Sequence, residues 1–112
     1  MKAAICAALV LAAFATTDAA YSQVNVLAAR DCGVWVSARK AKTSVALEAH
    51  VLGILDGLSL GANRDFWKAN GAPMLSRDAV FLWIDNYCLA HPLDASVEAV
   101  LALFKERSGW RP

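Results

Sequence analysis

The sequence contains few of the residues and motifs on which catalysis usually depends. Its 112 residues include only two histidines and three cysteines. It has no His-Glu-x-x-His metal motif, and no glycine-rich phosphate loop follows a predicted strand. His50 and Asp56 lie six residues apart on a predicted helix, which turns them toward different faces. We therefore predict a protein that is not an enzyme and that uses no metal or cofactor.

Strong charge of either sign is also absent. Eleven basic and ten acidic side chains give a formal net charge of +1. Arg39, Lys40 and Lys42 form the only basic cluster, which is typical of a solvated helix end. This balance predicts no surface of the kind that binds nucleic acids.

The longest apolar run free of charge lies at the start of the chain. Lys2 supplies a positive charge, residues 3–15 an apolar segment, and residues 17–19 the small side chains that a signal peptidase reads. This pattern predicts a signal peptide over residues 1–20, cleaved near Ala19 or Ala20, and a periplasmic or secreted product. The alternative is a buried N-terminal helix of a cytosolic protein. No later segment reaches about eighteen apolar residues without a charge, so we predict no membrane span in the mature chain.

The mature chain, residues 21–112, is long enough for a single domain with one thin core. Apolar residues recur at helical spacing on one face of its central segment, at Val80, Trp83, Ile84 and Tyr87. Similar patterns occur on either side. The sequence therefore predicts an all-α bundle of about four helices, at residues 32–40, 44–61, 76–91 and 94–109.

Cap residues indicate where these helices begin and end. Ser44, Ser76 and Asp94 are suited to N-caps, because their side-chain oxygens can accept hydrogen bonds from backbone N–H groups. Pro92 disfavours helical geometry at the residue before it, and Gly109 is a typical C-terminal signal. We expect the third helix to end at Pro92 and the fourth near Gly109.

The cysteines predict one disulfide. Cys6 lies inside the predicted leader, so only Cys32 and Cys88 remain after export. Two cysteines in an oxidising compartment favour a crosslink, which would stabilise the fold by about 4 kcal/mol in the chain-entropy model. The alternative is a metal site that combines Cys32 and Cys88 with His50 and His91. Zinc sites usually bring two close ligand pairs, whereas only one exists here.

Three glycines lie four residues apart on the second helix, at Gly53, Gly57 and Gly61. Glycine inside a helix costs about 0.5–1 kcal/mol relative to alanine, so three in register predict a groove for close packing. We expect Trp35 or Trp83 to fill this groove. The alternative is that the glycines only fray the end of the helix.

Two large aromatic residues, Phe66 and Trp67, interrupt a connection that is otherwise rich in turn formers. They either fold back as a lid on the core, which we favour, or stay exposed as partner contacts, since aromatic residues are enriched in binding hot spots. The loop that carries them is the candidate contact region.

Both histidines are expected to have structural roles. His50 borders the glycine face and is predicted to be packed or hydrogen-bonded. His91 precedes Pro92 at a helix end, where an imidazole can bond the last carbonyl groups and gain from the helix dipole.

Three separate blocks of the mature chain agree in order with one family of bacterial proteins. They are Asp-Cys-Gly-Val-Trp at 31–35, Val-Leu-Gly-Ile-Leu-Asp-Gly at 51–57, and Trp-Ile-Asp-Asn-Tyr-Cys at 83–88 followed by His-Pro-Leu at 91–93. With these blocks, residues 31–107 resemble the Rap/Tai-type immunity protein domain, and the Tyr-Cys-x-x-His-Pro stretch is the most specific part. The chain is more distantly similar to HdeA-type periplasmic acid-stress chaperones.

The resemblance implies a small exported helical protein that binds without catalysis. The best understood members of the family neutralise peptidoglycan amidase effectors delivered by type VI secretion. It therefore implies that this chain occludes the active site of such an amidase with a protruding rigid surface. A second copy of the chain, in a homodimer, is the other partner to consider.

Two alternatives stay open beside the immunity function. An acid-stress chaperone would need many carboxylates that lose their charge at low pH and loosen the fold. The mature chain keeps nine of the ten acidic residues, because only Asp18 leaves with the leader, and nine is not unusual for its size. The immunity function is favoured for that reason. An envelope protein of unknown binding role, such as a scaffold or a lysozyme-inhibitor-like protein, is the other alternative.

Overall fold

Four helices account for most of the described chain. A computed structural model describes residues 30–111, and the predicted signal peptide lies outside them. The helices are α1 (Cys32–Ala41), α2 (Val45–Ala62), α3 (Arg77–Ala90) and α4 (Ser96–Ser108), and a 3₁₀ turn (Ala69–Gly71) lies between α2 and α3. The described residues contain no strand, only an isolated antiparallel bridge between Asp31 and Ala95. The predicted all-α fold of about four helices is confirmed.

Caps explain where the helices begin. The Asp31 carboxylate accepts a hydrogen bond from Val34 N–H at 2.8 Å at the start of α1. Ser76 Oγ accepts one from Ala79 N–H at 3.1 Å at the start of α3, as predicted. Ser44 precedes α2 where expected, but its hydroxyl donates to a carboxylate of α2 and caps no backbone group.

Asp94 does not cap α4. The N-cap is Ala95, whose N–H donates to the Glu98 carboxylate at 3.0 Å. Asp94 instead accepts a hydrogen bond from the Tyr87 hydroxyl at 2.7 Å. The carboxylate thus binds a side chain of α3 instead of a backbone N–H of α4.

The core forms where the helices meet. Helix α3 contacts both α1 and α4, while α2 packs on α4. The buried apolar side chains come from all four helices and from the α2–α3 connection. They are Cys32, Trp35, Val51, Leu55, Phe66, Val80, Phe81, Ile84, Cys88, Ala99, Val100, Leu103 and Phe104.

The predicted disulfide between Cys32 and Cys88 is confirmed. It joins the first residue of α1 to the last turn of α3, with 4.9 Å between the two Cα atoms. Both cysteines are fully buried, with exposed fractions of 0% and 1%. Because each sulfur is bonded to the other, neither is free as a thiolate ligand, and residues 30–111 contain no group of three or more metal-binding side chains.

The glycines of α2 face away from the core. Gly53, Gly57 and Gly61 are exposed, and a Cβ atom added to each would lie more than 4 Å from any neighbouring atom considered in the described chain. The predicted groove filled by Trp35 or Trp83 is therefore wrong. The physical reason is that the apolar face formed by Val51, Leu55 and their neighbours binds the core, and the glycines lie on the opposite face. Gly53 and Gly57 are inside an unbroken helix, so fraying does not explain them either.

Helix α2 is also apolar on average. Its 18 residues have a mean hydropathy of 1.4, which by length and composition alone suffices for a membrane-crossing helix. Of these residues, 11% are buried inside the described domain. Its two carboxylates, however, contact other parts of the described domain. Glu48 binds Arg39 of α1, and Asp56 accepts a hydrogen bond from Trp67. These contacts support α2 as part of the bundle, and the absence of a membrane span stays a prediction.

Candidate partner-binding loop

The connection between α3 and α4 is a short turn with its own hydrogen bonds. It comprises residues 91–95 and is named here the α3–α4 loop. His91 N–H donates to the Tyr87 carbonyl at 2.8 Å, and Asp94 N–H donates to the His91 carbonyl at 3.1 Å. Pro92 has a ring that restricts its backbone torsion. The loop is therefore held in one conformation from within.

The same loop is fastened to the start of α1. Cys32 N–H donates to the Asp94 carbonyl at 2.8 Å, and Ser96 N–H donates to the Arg30 carbonyl at 2.7 Å. The disulfide between Cys32 and Cys88 lies beside these bonds, three residues before the loop. A covalent bond and two backbone hydrogen bonds thus fix the loop against a second segment of the chain.

Aromatic side chains support the loop from α3. Trp83 and Tyr87 stack with 5.6 Å between ring centroids, and the His91 ring lies 4.4 Å from that of Tyr87. The hydrogen bond from the Tyr87 hydroxyl to Asp94, together with burial, raises the pKa of Tyr87 to about 12. The phenol therefore stays protonated at physiological pH and keeps donating to the loop.

The loop presents Leu93 to solvent. This side chain is 95% exposed, although leucine is more often buried in folded proteins. Leu89, in the last turn of α3, is also 66% exposed, and the His91 side chain is 53% exposed. A rigid turn with an apolar tip and a half-exposed imidazole is a suitable shape for insertion into a cleft of another protein.

A second polar cluster joins the other end of α1 to α2 and α3. The guanidinium of Arg39 donates to both oxygens of Asp85, at 3.0 and 3.2 Å from Nε, and to Glu48 at 2.7 Å. Trp35 Nε1 donates to Asp85 at 2.7 Å. Ser44 Oγ donates to Glu48 at 2.6 Å. We name these five residues the Arg39 junction.

The charges of the Arg39 junction stabilise one another. The hydrogen bond to Asp85 raises the pKa of the Arg39 guanidinium further above its ordinary value. The hydroxyl of Ser44, and after it the guanidinium of Arg39, holds the pKa of Glu48 below its ordinary value. Every charged group of the junction has a partner within the domain, so the junction is a structural element.

The α2–α3 connection folds back on the core as a lid. Phe66 is fully buried and stacks on Phe104 with 6.1 Å between ring centroids. Trp67 is partly buried, and its Nε1 donates to Asp56 at 2.7 Å. Arg107 of α4 holds both residues by donating to their carbonyl oxygens at 2.6 and 3.0 Å. Phe66 therefore has no surface to offer a partner, and the α3–α4 loop replaces it as the candidate contact region.

The two histidines do not meet. His50 is half-buried on α2 and its Nε2 has no hydrogen-bond partner among the described residues, so the predicted packed position is observed without the hydrogen bond. The His91 side chain contacts Tyr87 and lies 3.9 Å from the Asp94 carboxylate, and no hydrogen bond to the last carbonyls of α3 is observed for its ring.

One segment of α2 matches the letters of a catalytic motif. Residues 57–61 read Gly-Leu-Ser-Leu-Gly and match the Gly-x-Ser-x-Gly letters of a nucleophile elbow. An elbow requires a sharp turn from a strand into a helix, whereas this segment lies within α2. Ser59 Oγ is buried without a hydrogen-bond partner among the described residues, and Ser59 is nine residues from His50, on the opposite side of α2. This serine has no base to activate it there.

Comparison with protein-family models, curated proteins and solved structures finds no match to this chain. The resemblance to the Rap/Tai-type domain therefore stays an inference from the pattern of residues.

Sequence reasoning missed two residues, Arg39 of the Arg39 junction and Leu93 of the α3–α4 loop. Arg39 had been interpreted as part of a solvated helix end, yet it follows Cys32 and Trp35 at i, i+3 and i+7, which places it on the buried stripe of α1. That spacing was the available signal. Leu93 gave a weaker signal, an apolar residue directly after a helix-ending proline.

Proposed function

We propose that this protein is an exported binding protein of the immunity type, which inhibits a peptidoglycan amidase effector by blocking its active site. The sequence blocks shared with the Rap/Tai-type domain support this proposal. A buried disulfide is compatible with export, because such bonds persist in oxidising compartments.

The fastened α3–α4 loop carries the proposal. An inhibitor that enters an active-site cleft binds best when its inserted segment is already ordered, since ordering it on binding costs free energy. Hydrogen bonds and the disulfide order this loop before any partner arrives. Its exposed Leu93 supplies the apolar anchor, and His91 the polar group beside it.

The magnitude of the Leu93 contribution is measurable. Burying a leucine side chain contributes about 1.5–3 kcal/mol, which corresponds to about a 10- to 150-fold change in affinity. Leu93→Asp should therefore weaken binding by at least that factor, because it also places a charge in the contact. The fold should be unaffected, since the side chain is already in water.

Two measurements test the proposal. The first is co-purification with an amidase effector encoded beside this gene, and the second is the rate at which that amidase hydrolyses peptidoglycan with and without this protein. Leu60→Asp is the matched control, because Leu60 is 84% exposed on α2. We expect Leu93→Asp to release the amidase and Leu60→Asp to retain it. Loss of binding with Leu60→Asp alone would place the contact on α2 and contradict the role of the loop.

An acid-stress chaperone is the second candidate, and the Arg39 junction favours it. Three helices meet there through Glu48 and Asp85. The pKa of Glu48 is lowered by its partners, so its protonation would weaken the contact between α1 and α2. Binding of a hydrophobic dye at about pH 2–3, with suppression of client aggregation, tests this function. An unchanged dye signal at that pH would contradict it.

A further inference from the structure

We propose that the groove between α1 and α3 is a docking site for an acidic amphipathic segment of the partner protein. This inference deepens the proposed function, on which it rests for the existence of a protein partner. It concerns a surface beside the α3–α4 loop and does not depend on how that loop enters a cleft.

The groove is open and has walls from both helices. Its volume is about 490 Å³. The residues that line it are Val36, Arg39, Lys40, Lys42, Asp85 and Leu89. Leu89 is the fourth residue before Leu93, so the groove begins close to the loop and continues along α1.

The charged groups of the groove that have no ion-pair partner in the described chain are positive. Asp85 accepts hydrogen bonds from Arg39 and Trp35, but the same guanidinium also pairs with Glu48, so these charged groups together leave one negative charge. Lys40 and Lys42 are exposed and form no ion pair within residues 30–111. With Glu48 counted, three positive and two negative groups leave a net charge of +1, and an acidic group that entered the groove would meet two ammonium groups that have no ion-pair partner in the described chain.

Apolar side chains accompany these lysines. Leu89 lines the groove and is 66% exposed. Leu82, which is 60% exposed, lies outside the lining but seven residues before Leu89, on the same face of α3. Val36 of α1 lies on the opposite wall. This combination of an apolar stripe and a basic rim matches a segment with leucines on one face and carboxylates beside them.

The helix dipole of α1 explains the lysines of this groove but not its exposed leucine. Lysines at the end of α1 offset the negative end of its dipole, as at many helix ends. Offsetting the dipole does not require exposed leucines on α3. A phosphate-binding site would also leave the leucines without a role, so an acidic protein segment is the better fit.

Fluorescence anisotropy with two labelled peptides tests the inference. Each peptide is about fifteen residues long, enough for a short helix, with leucines at i, i+3, i+4 and i+7. One carries glutamates at the other positions and the second carries lysines. We expect the acidic peptide to bind at least about ten-fold more tightly, because charge pairs at a surface contribute modestly but add up.

Variants localise the binding. Lys40→Glu combined with Lys42→Glu should reverse the preference, and Leu89→Asp should weaken both peptides. Lys68→Glu combined with Lys105→Glu is the matched control, since both of those lysines are exposed elsewhere. Equal effects of the two lysine pairs, or equal binding of the two peptides, would overturn the inference.

Other occupants are outcomes of the same experiment. Tighter binding of a labelled oligothymidylate or of anionic vesicles than of the acidic peptide would overturn the inference. Self-association in analytical ultracentrifugation that Leu89→Asp abolishes would assign the groove to a second copy and overturn it too. An amidase that is released by Leu93→Asp and fully retained by the lysine-pair variant would leave the proposed function standing and remove the docking site.

Discussion

Arg39 and Leu93 both lie near the surface, but one has a structural role and the other is a candidate for binding. Arg39 is charged and close to the surface, yet its donors are bonded to Asp85 and Glu48. Leu93 has no comparable partner and is 95% exposed. At the residue scale, polar groups with hydrogen-bond partners inside the domain stabilise the fold, and apolar surface left exposed to solvent indicates a partner.

Removing the Arg39 guanidinium should destabilise the domain. Arg39→Ala leaves two half-buried carboxylates without their shared donor, and hydrogen bonds to charged groups each contribute about 1.5–3 kcal/mol. Because the junction is partly exposed, we expect a total loss of about 2 kcal/mol in urea unfolding. Lys40→Ala, the neighbouring control, should change stability by less than about 0.5 kcal/mol. Equal effects of the two substitutions would contradict the junction.

The lowered pKa of Glu48 makes its contribution depend on pH. A carboxylate whose folded pKa lies below its unfolded value stabilises the fold above the unfolded pKa, and this stabilisation is lost as pH falls through the folded pKa. Wild type should therefore exceed Glu48→Gln in free energy of unfolding near about pH 6, and the difference should shrink toward about pH 3. If the stability difference between wild type and Glu48→Gln grew on acidification, the pKa of Glu48 would be raised by folding, which would contradict this prediction.

At the element scale, the sequence predicted the helices well because caps and apolar spacing are local signals. Bounds agree within one or two residues for all four. The two errors have different causes. Asp94 caps nothing because Tyr87 takes its carboxylate, and the glycines of α2 face solvent because the opposite face of the helix is more apolar. The partner of Asp94 depends on how the loop packs against α3, whereas the spacing of the glycines from Val51 and Leu55 within α2 already places them on the opposite face.

The exposed glycines predict an increase in stability on substitution. Gly53→Ala and Gly57→Ala should each stabilise the fold by about 0.5–1 kcal/mol, since the added Cβ meets nothing within 4 Å and the helix loses a flexible residue. Gly109→Ala is the control and should destabilise it, because Gly109 has φ of 66° at the C-cap of α4. Chemical denaturation of the three variants measures this. A loss of stability at Gly53 would show that a contact covers that face.

At the scale of the whole molecule, the disulfide connects stability to binding. It ties the first turn of α1 to the last turn of α3 and lies next to the α3–α4 loop. Cysteine number and a predicted leader were sufficient to predict this bond. The loop lies near this bond because Cys88 precedes it by three residues, but its backbone hydrogen bonds to the start of α1 could not be predicted, because they follow from how α1, α3 and α4 pack.

Breaking the crosslink should lower the stability of the entire domain. Cys32→Ala combined with Cys88→Ala frees a loop with a sequence separation of 56, and the chain-entropy model gives a loss of about 4 kcal/mol. Reduction of the wild-type protein should have a similar effect. Identical urea midpoints for the oxidised and reduced proteins would contradict a stabilising role for the bond.

Hydrogen exchange of the oxidised protein, with and without the amidase effector of the proposed function, tests the central claim most directly. A rigid loop that enters a cleft should show its amides, in peptides that cover residues 89–95, further protected when the partner is bound. Peptides from the glycine face of α2 should exchange at the same rate in both samples. Protection confined to α2, with an unchanged α3–α4 loop, would contradict the account.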